Sequence, residues 1–296
     1  MAFGFDNTAE EVTAGIDLTG QTWLITGCNS GLGRETARVL ALRGAHIVGL
    51  ARTRAKASDA ISALGIDGTP VACELSDLDS VRTAVETVRS LGCSLNGIIA
   101  NAGIMALPEL QQKDGLELQF YVNHVGHFVL VNGLVDSLTE DARVVVLSSG
   151  AHFYAAESGL ELDNVSGEQN YDAWRMYGRS KMANIHFMAS LNHRFEGSGR
   201  RANAVHPGVI DTNLGRHVPD KEAMYESLKK RVRLKSIPQG AATQCYVATH
   251  PKLAGVGGQY YADCKLGNLA PIARDIDLSE VLWEATEDLI AVIGTK

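Results

Sequence analysis

Thr22-Trp23-Leu24-Ile25-Thr26-Gly27-Cys28-Asn29-Ser30-Gly31-Leu32-Gly33 is the stretch on which the fold turns. The apolar run 22–26 predicts a strand. Glycines 27, 31 and 33 follow it, and Leu32, Thr36, Val39 and Leu40 then recur at helical spacing, i, i+4, i+7 and i+8. A strand that enters a helix through glycines permits a tight turn and close approach of backbone to a ligand. It also aims unpaired helix N–H groups and the positive end of the helix dipole at an anion. The spacing is G-x-x-x-G-x-G, not G-x-G-x-x-G, and no Lys follows the last glycine, which excludes a nucleoside-triphosphate P-loop.

Outward from that turn the same alternation continues. Further strands are expected at 45–50, 69–73, 95–100, 143–148 and 201–205, and helices at 54–64, 77–91, 116–138 and 171–195, with a C-terminal helix at about 277–291. Such regular alternation specifies a parallel sheet covered on both faces, with right-handed crossovers. The prediction is a doubly wound, Rossmann-type α/β fold in one domain over 1–296, its core at about 20–262. Two segments break the rhythm, 150–170 and 211–236. Both follow the carboxyl end of a strand, where substrate-binding insertions belong.

Composition narrows the function. Among 296 residues, 45% are hydrophobic and 21% charged, which fits a globular protein and excludes a disordered or fibrous one. The net charge of −7 gives no electrostatic reason to hold nucleic acid or an anionic membrane. No apolar run is long enough to span a membrane. The first basic residue is Arg34, so neither a secretory signal nor a transit peptide is expected, nor a membrane anchor, and the protein reads as soluble and cytoplasmic. Cys28, Cys73, Cys93, Cys245 and Cys264 are odd in number and widely spaced, with no C-x-x-C, so free thiols are expected and no zinc site. His124 and His127 lack a third ligand at metal spacing and read as buried, hydrogen-bonded side chains; no metal is expected. Met105, Met176, Met182 and Met188 read as core, with Met176 a candidate near substrate.

Two further features carry chemistry. NAD binders place an Asp or Glu about 20 residues past the glycines to bond the ribose 2′-hydroxyl. From Thr36 to Ser58 this chain has neither, and Arg52 ends the second strand. A guanidinium there suits a 2′-phosphate, so the cofactor is read as NADP(H). Tyr177 and Lys181 stand four apart and share a helix face. An ammonium beside a phenol favours the phenolate, and such a pair can pass a proton to or from an alcohol oxygen.

Together these pieces resemble the short-chain dehydrogenase/reductase family from Gly20 to about Ala262. The glycine loop and Tyr177/Lys181 are joined, in family order, by Asn101-Ala102-Gly103, Asn123, Ser149, and Pro207-Gly208 with Thr212. Arg52, Asn123-His124-Val125-Gly126-His127-Phe128, His206-Pro207-Gly208 and Leu282-Trp283-Glu284 look like the retinol-dehydrogenase-like branch. The resemblance implies that Tyr177 is the general acid/base and that Lys181 lowers its pKa and holds the nicotinamide ribose. Ser149 would bond the substrate oxygen, and Asn123 would fix a water linking Lys181 to solvent. Gly27, Asn29, Ser30, Gly31, Leu32 and Gly33 would cradle the pyrophosphate. Glu74, Leu75, Asn101, Ala102 and Gly103 would line the adenine-ribose side, and Pro207, Gly208, Val209 and Thr212 the nicotinamide end.

The sequence departs from the family pattern in places. Ala100 stands where the family often repeats Asn, Glu74 replaces the usual Asp, and the 150–170 insertion lengthens the interval from Ser149 to Tyr177. Ser148 is the alternative serine, although strand alternation sends it to the other face. The expected activity is NADP(H)-dependent interconversion of an alcohol with a ketone or aldehyde on a bulky hydrophobic small molecule. Alternatives on the same fold are a C=C (enone) reductase and a non-catalytic NADP(H) sensor. The helices around Asn123 and Tyr177 resemble the family's usual oligomer interface, which implies a homodimer or homotetramer. No G-x-S-x-G elbow occurs, which counts against an α/β-hydrolase.

Overall fold

A computed structural model describes residues 3–294. Strands β1 (Thr22–Thr26), β2 (His46–Ala51), β3 (Gly68–Ala72), β4 (Leu95–Ala100), β5 (Leu138–Leu147), β6 (Arg201–His206) and β7 (Tyr260–Ala262) form one parallel sheet. β8 (Lys265–Leu266) adds to its edge antiparallel, and the spatial order is β8-β7-β6-β5-β4-β1-β2-β3. The order reverses between β1 and β4, the switch point outside which doubly wound proteins bind ligands.

Strand alternation divides the core in two. Leu24, Val48, Ile98 and Val144 face one layer, with helices α3 (Leu78–Ser90), α4 (Gly126–Gly133), α5 (Ala173–Arg194) and α8 (Ile276–Gly294). Trp23, Ile25, Ile47, Ile99 and Val145 face the other, with α1 (Gly31–Leu42) and α7 (Ile237–Thr249). α2 (Arg54–Leu64) follows β2, and α6 (Lys221–Lys229) lies inside the 211–236 insertion. Gly97 is required where β4 crosses Trp23, since a Cβ there would lie 2.3 Å from the indole.

The expected strand 22–26 and helix 54–64 are reproduced residue for residue. The expected helix 116–138 is not one element. Residues Leu116–Glu117 pair with Gln112–Lys113 in a small hairpin turned by Gly115, at φ +84°. Helix begins at Leu118, where the Glu117 carboxylate accepts the Gln119 and Phe120 N–H groups. It widens into a π turn over Tyr121–Val125, continues as α4 and stops at Gly133, and β5 starts at Leu138. Strand pairing of Leu138 with Leu95 claims what the periodicity assigned to helix.

α8 closes over α4 and α5. His124 Nε2–H donates to Thr286 and His186 Nδ1–H to Ser279, because both hydroxyls spend their own protons on carbonyls one turn back. Trp283 meets Phe128 edge-on at 4.7 Å and stacks on Phe187 at 5.8 Å. The two helices that the resemblance would pair with a second copy are therefore covered on this side by the chain's own C-terminal helix. Four of the five free cysteines are buried, and burial pushes the Cys28 thiol up to about 11. No described group of three His, Cys, Asp or Glu could hold a metal, and no described helix is long and apolar enough to cross a membrane.

Candidate active site

At the carboxyl ends of the strands lies a cleft of about 880 Å³, bounded by the glycine loop, the β4 end, α5 and the 211–236 segment. Gly27 and Cys28 donate their N–H groups to the Leu50 carbonyl at 2.8 and 3.1 Å, wrapping the loop over the end of β2. Gly27 and Gly31 have φ of +70° and +50°, the left-handed region that favours glycine. Ser30, the N-cap of α1, makes no side-chain capping bond, which leaves the first-turn N–H groups to a ligand or solvent. A phosphate-bearing dinucleotide fits this cradle on geometry alone.

The Thr26 hydroxyl ties the loop to the rest of the site. Its oxygen accepts the Asn101 and Ala102 N–H groups, each at 2.9 Å. His127 Nδ1 faces the Asn123 carbonyl at 3.0 Å and must carry the proton, so Nε2 accepts the Thr26 O–H at 2.9 Å. The Asn101 amide also donates to the Thr26 carbonyl at 2.9 Å. Ala100 is thus no weakness: the β1–β4 junction is held by Thr26, Asn101 and His127.

Tyr177 and Lys181 project from one face of α5 into the cleft, the ammonium 5.7 Å from the phenol ring centroid. Gly178 lets α5 approach Ala151, whose carbonyl would lie 2.5 Å from a Cβ. Tyr177 is 4% exposed, and burial raises its pKa well above that of free tyrosine; the neighbouring Ser149 hydroxyl pulls the other way. The expected lowering by Lys181 is not what this geometry gives. Lys181 Nζ instead donates to the Leu147 carbonyl at 3.1 Å, and burial brings its own pKa down to about 8. Ser148 donates to the Lys181 carbonyl at 2.7 Å, so Ser149 is the serine beside the phenol. Two neutral histidines frame it. His152 Nδ1 faces the Ser149 carbonyl at 2.7 Å, and His206 Nδ1 accepts the Gly150 N–H at 3.0 Å.

Every site residue singled out from sequence lines the cleft except Gly33 and Asn123. A Cβ on Gly33 would lie 2.3 Å from the Gly27 carbonyl and 2.6 Å from the Asn101 amide, so its place is packing beneath the loop. Asn123 sits in the π turn, fully buried. Its amide donates to Ile104 O and Ser180 Oγ, and its Oδ1 accepts Ile104 N–H, all at 2.9 Å. It supports the floor under Gly103 and Lys181.

Sequence reasoning missed the apolar half of the cleft: Tyr154, Trp174, Leu214, Met224, Tyr225 and Leu228. One signal was available, Trp174 at i−3 from Tyr177, whose rings lie 6.4 Å apart. Met105 and Met224 line the cleft, and Met176 does not.

Residues 27–261 match the family model described as enoyl-(acyl carrier protein) reductase, so fold and site together define an oxidoreductase of the doubly wound type. The chain belongs to the short-chain dehydrogenase/reductase family. It is 39% identical to short-chain dehydrogenase TIC 32 B, chloroplastic, of Brassica napus, over 97% of this chain and 94% of that one. It is 37% identical to retinol dehydrogenase 14 of Mus musculus, over 93% and 87%. A solved structure of an uncharacterized Mycobacterium paratuberculosis protein superposes with TM-score 0.76 at 31% identity, covering 94% of this chain and 96% of that one. A short-chain dehydrogenase from Burkholderia cenocepacia J2315, solved in complex with NADP, shares the fold at TM-score 0.68 and 23% identity, over 82% and 96%.

Proposed function

We propose that the chain is an NADP(H)-dependent oxidoreductase that interconverts an alcohol with a ketone or aldehyde on a bulky, largely apolar small molecule. One observation carries the reading: the Tyr177 phenol, with Ser149 beside it, stands in the same cleft as the glycine cradle and the apolar wall. The nicotinamide supplies or accepts the hydride when the cofactor is bound. Ser149 and Tyr177 orient the substrate oxygen with two O–H donors, and Tyr177 donates the proton that turns a forming alkoxide into an alcohol. A phenol held neutral by burial keeps that proton until charge develops on the substrate oxygen. Lys181 would hold the ribose hydroxyls, and Arg52, which has no carboxylate partner among the described residues, would take the 2′-phosphate. The NADP bound in the Burkholderia cenocepacia protein and the retinol dehydrogenase 14 likeness support this assignment.

A C=C reductase is the second reading, favoured by the description of the matching family model. NADPH consumption over a panel of hydrophobic ketones, aldehydes and enones separates them. Turnover of ketones or aldehydes supports the first reading; reduction of enones with the carbonyl retained replaces it with the second; binding without turnover removes both.

A further inference from the structure

The 211–236 segment starts against the cofactor cradle. Thr212 stands 3.6 Å from where a Gly31 Cβ would be, and its hydroxyl caps the short 3₁₀ turn Asn213–His217 by accepting the Leu214 N–H at 3.2 Å. Arg216 lies one turn on. Its Nη1 donates to the Asn213 carbonyl at 3.0 Å, and no carboxylate among the described residues pairs with it. Asp211, at the start of the segment, is paired with Lys221 at 2.7 Å.

Arg52, Arg216 and His217 all border the same cleft, from two segments far apart in the chain. Burial and the nearby Arg52 charge together hold Arg216 below its ordinary pKa. His217 is lowered by burial and then by both arginines. Both guanidinium groups are exposed at the cleft, and a multiply charged anion bound there is attracted by each.

The far end of the segment is fastened separately. Lys235 pairs its Nζ with Asp263 at 2.6 Å and its N–H with the Val209 carbonyl at 2.9 Å, and Arg233 pairs with Asp6 at 2.6 Å over the Phe5 ring. With both ends held, a contact at Arg216 acts on the span between them, which carries Leu214, Met224, Tyr225 and Leu228 of the apolar wall.

We propose that Arg216 is a second ligand of the cofactor 2′-phosphate, facing Arg52, so that NADP(H) draws the 211–236 segment across the cleft and shapes the substrate cavity. The proposal rests on the reading of Arg52 as the 2′-phosphate site.

Calorimetric titration of the full chain with NADP⁺, NAD⁺ and adenosine 2′,5′-bisphosphate tests it, on wild type, Arg52→Ala, Arg216→Ala and Arg216→Lys. Arg216→Ala should weaken NADP⁺ and the bisphosphate by about 10-fold and leave NAD⁺ unchanged, with Arg216→Lys between. NADP⁺, but not NAD⁺, should slow tryptic cutting at Lys229, Lys230 and Arg231, and Arg216→Ala should abolish that protection. Equal loss for NADP⁺ and NAD⁺ would move Arg216 to the pyrophosphate and overturn the proposal, as would no loss for either. Where Arg52→Ala discriminates the cofactors and Arg216→Ala does not, the inference alone fails. Where Arg52→Ala itself does not discriminate, the underlying NADP reading fails.

Discussion

Under the glycine loop the backbone leaves no room for one more carbon, whereas across the cleft the wall is made of side chains on a segment fastened chiefly at its ends. A Cβ on Gly33 would lie 2.3 Å from a carbonyl oxygen, and Thr26, Asn101 and His127 saturate one another there. Opposite, Leu214, Met224 and Leu228 are only partly buried and present apolar surface to the cavity. A constant ligand such as a dinucleotide can be met by backbone, which hardly varies with sequence. A substrate must be met by side chains, which can. Tyr177 and Lys181 lie on the seam between the two sides.

The largest effect should come from that seam. Tyr177→Phe keeps the ring and removes the O–H, so kcat should fall by about 10²–10⁴-fold with cofactor affinity nearly unchanged. Stopped-flow reduction and titration of the cofactor read the two quantities separately. Near wild-type turnover would mean that the proton comes from elsewhere.

Next comes the cofactor side. Arg52→Ala should weaken NADP(H) by about 10- to 150-fold and leave NAD(H) nearly untouched, since only a charge-assisted bond to the 2′-phosphate is lost. Equal loss for both cofactors would put Arg52 outside the phosphate site.

How much of this was legible follows the same division. β1, the glycine turn and α2 depend on neighbours in sequence, and local pattern places them. α7 was missed although Ser236 and Gln239 form a capping box and Pro238 sits in the first turn, because Pro and Gly240 interrupt the apolar period. The 116–138 stretch misled because Glu117 caps a helix inside it and Leu138 joins a distant strand. Of the chemistry, the residue types of Tyr177, Ser149 and Lys181 could be read, but not how deeply the phenol is buried. The apolar wall was invisible because tertiary closure, not spacing, decides which of its residues face the cavity.

Acid should separate the two sides. Burial holds His124 near 3, and His127, His186 and His206 near 4, all around α4, α5 and the Ser149 frame. His124 Nδ1 and His186 Nε2 have no partner among the described residues, so a proton added there finds no acceptor among them. These bases have folded pKa values below their unfolded value of about 6.5, so the unfolded chain binds more protons in that window. Stability is full above about pH 6.5 and falls as pH drops toward 4, by about 1.4 kcal/mol per pH unit for each such proton. Hydrogen exchange at pH 5 should rise first in α8, α4 and α5 and later in β1–β3. Uniform loss of protection would show that the molecule yields as one unit.

The smallest effect should come from the wall itself. Met224 lies in α6 and is partly buried at the cavity edge, so Met224→Ala removes apolar contact with a bulky substrate and little else. About 1 kcal/mol of lost burial corresponds to a rise of roughly fivefold in KM. Because the lost contact is made equally before and in the transition state, kcat should hold. A small ketone that does not reach α6 should show no change, and titration should give the wild-type affinity for NADPH. If kcat and NADPH affinity fell together, Met224 would be transmitting to the cradle. The two sides would then be coupled through α6 as well as through Arg216, and their separation would be one of position only.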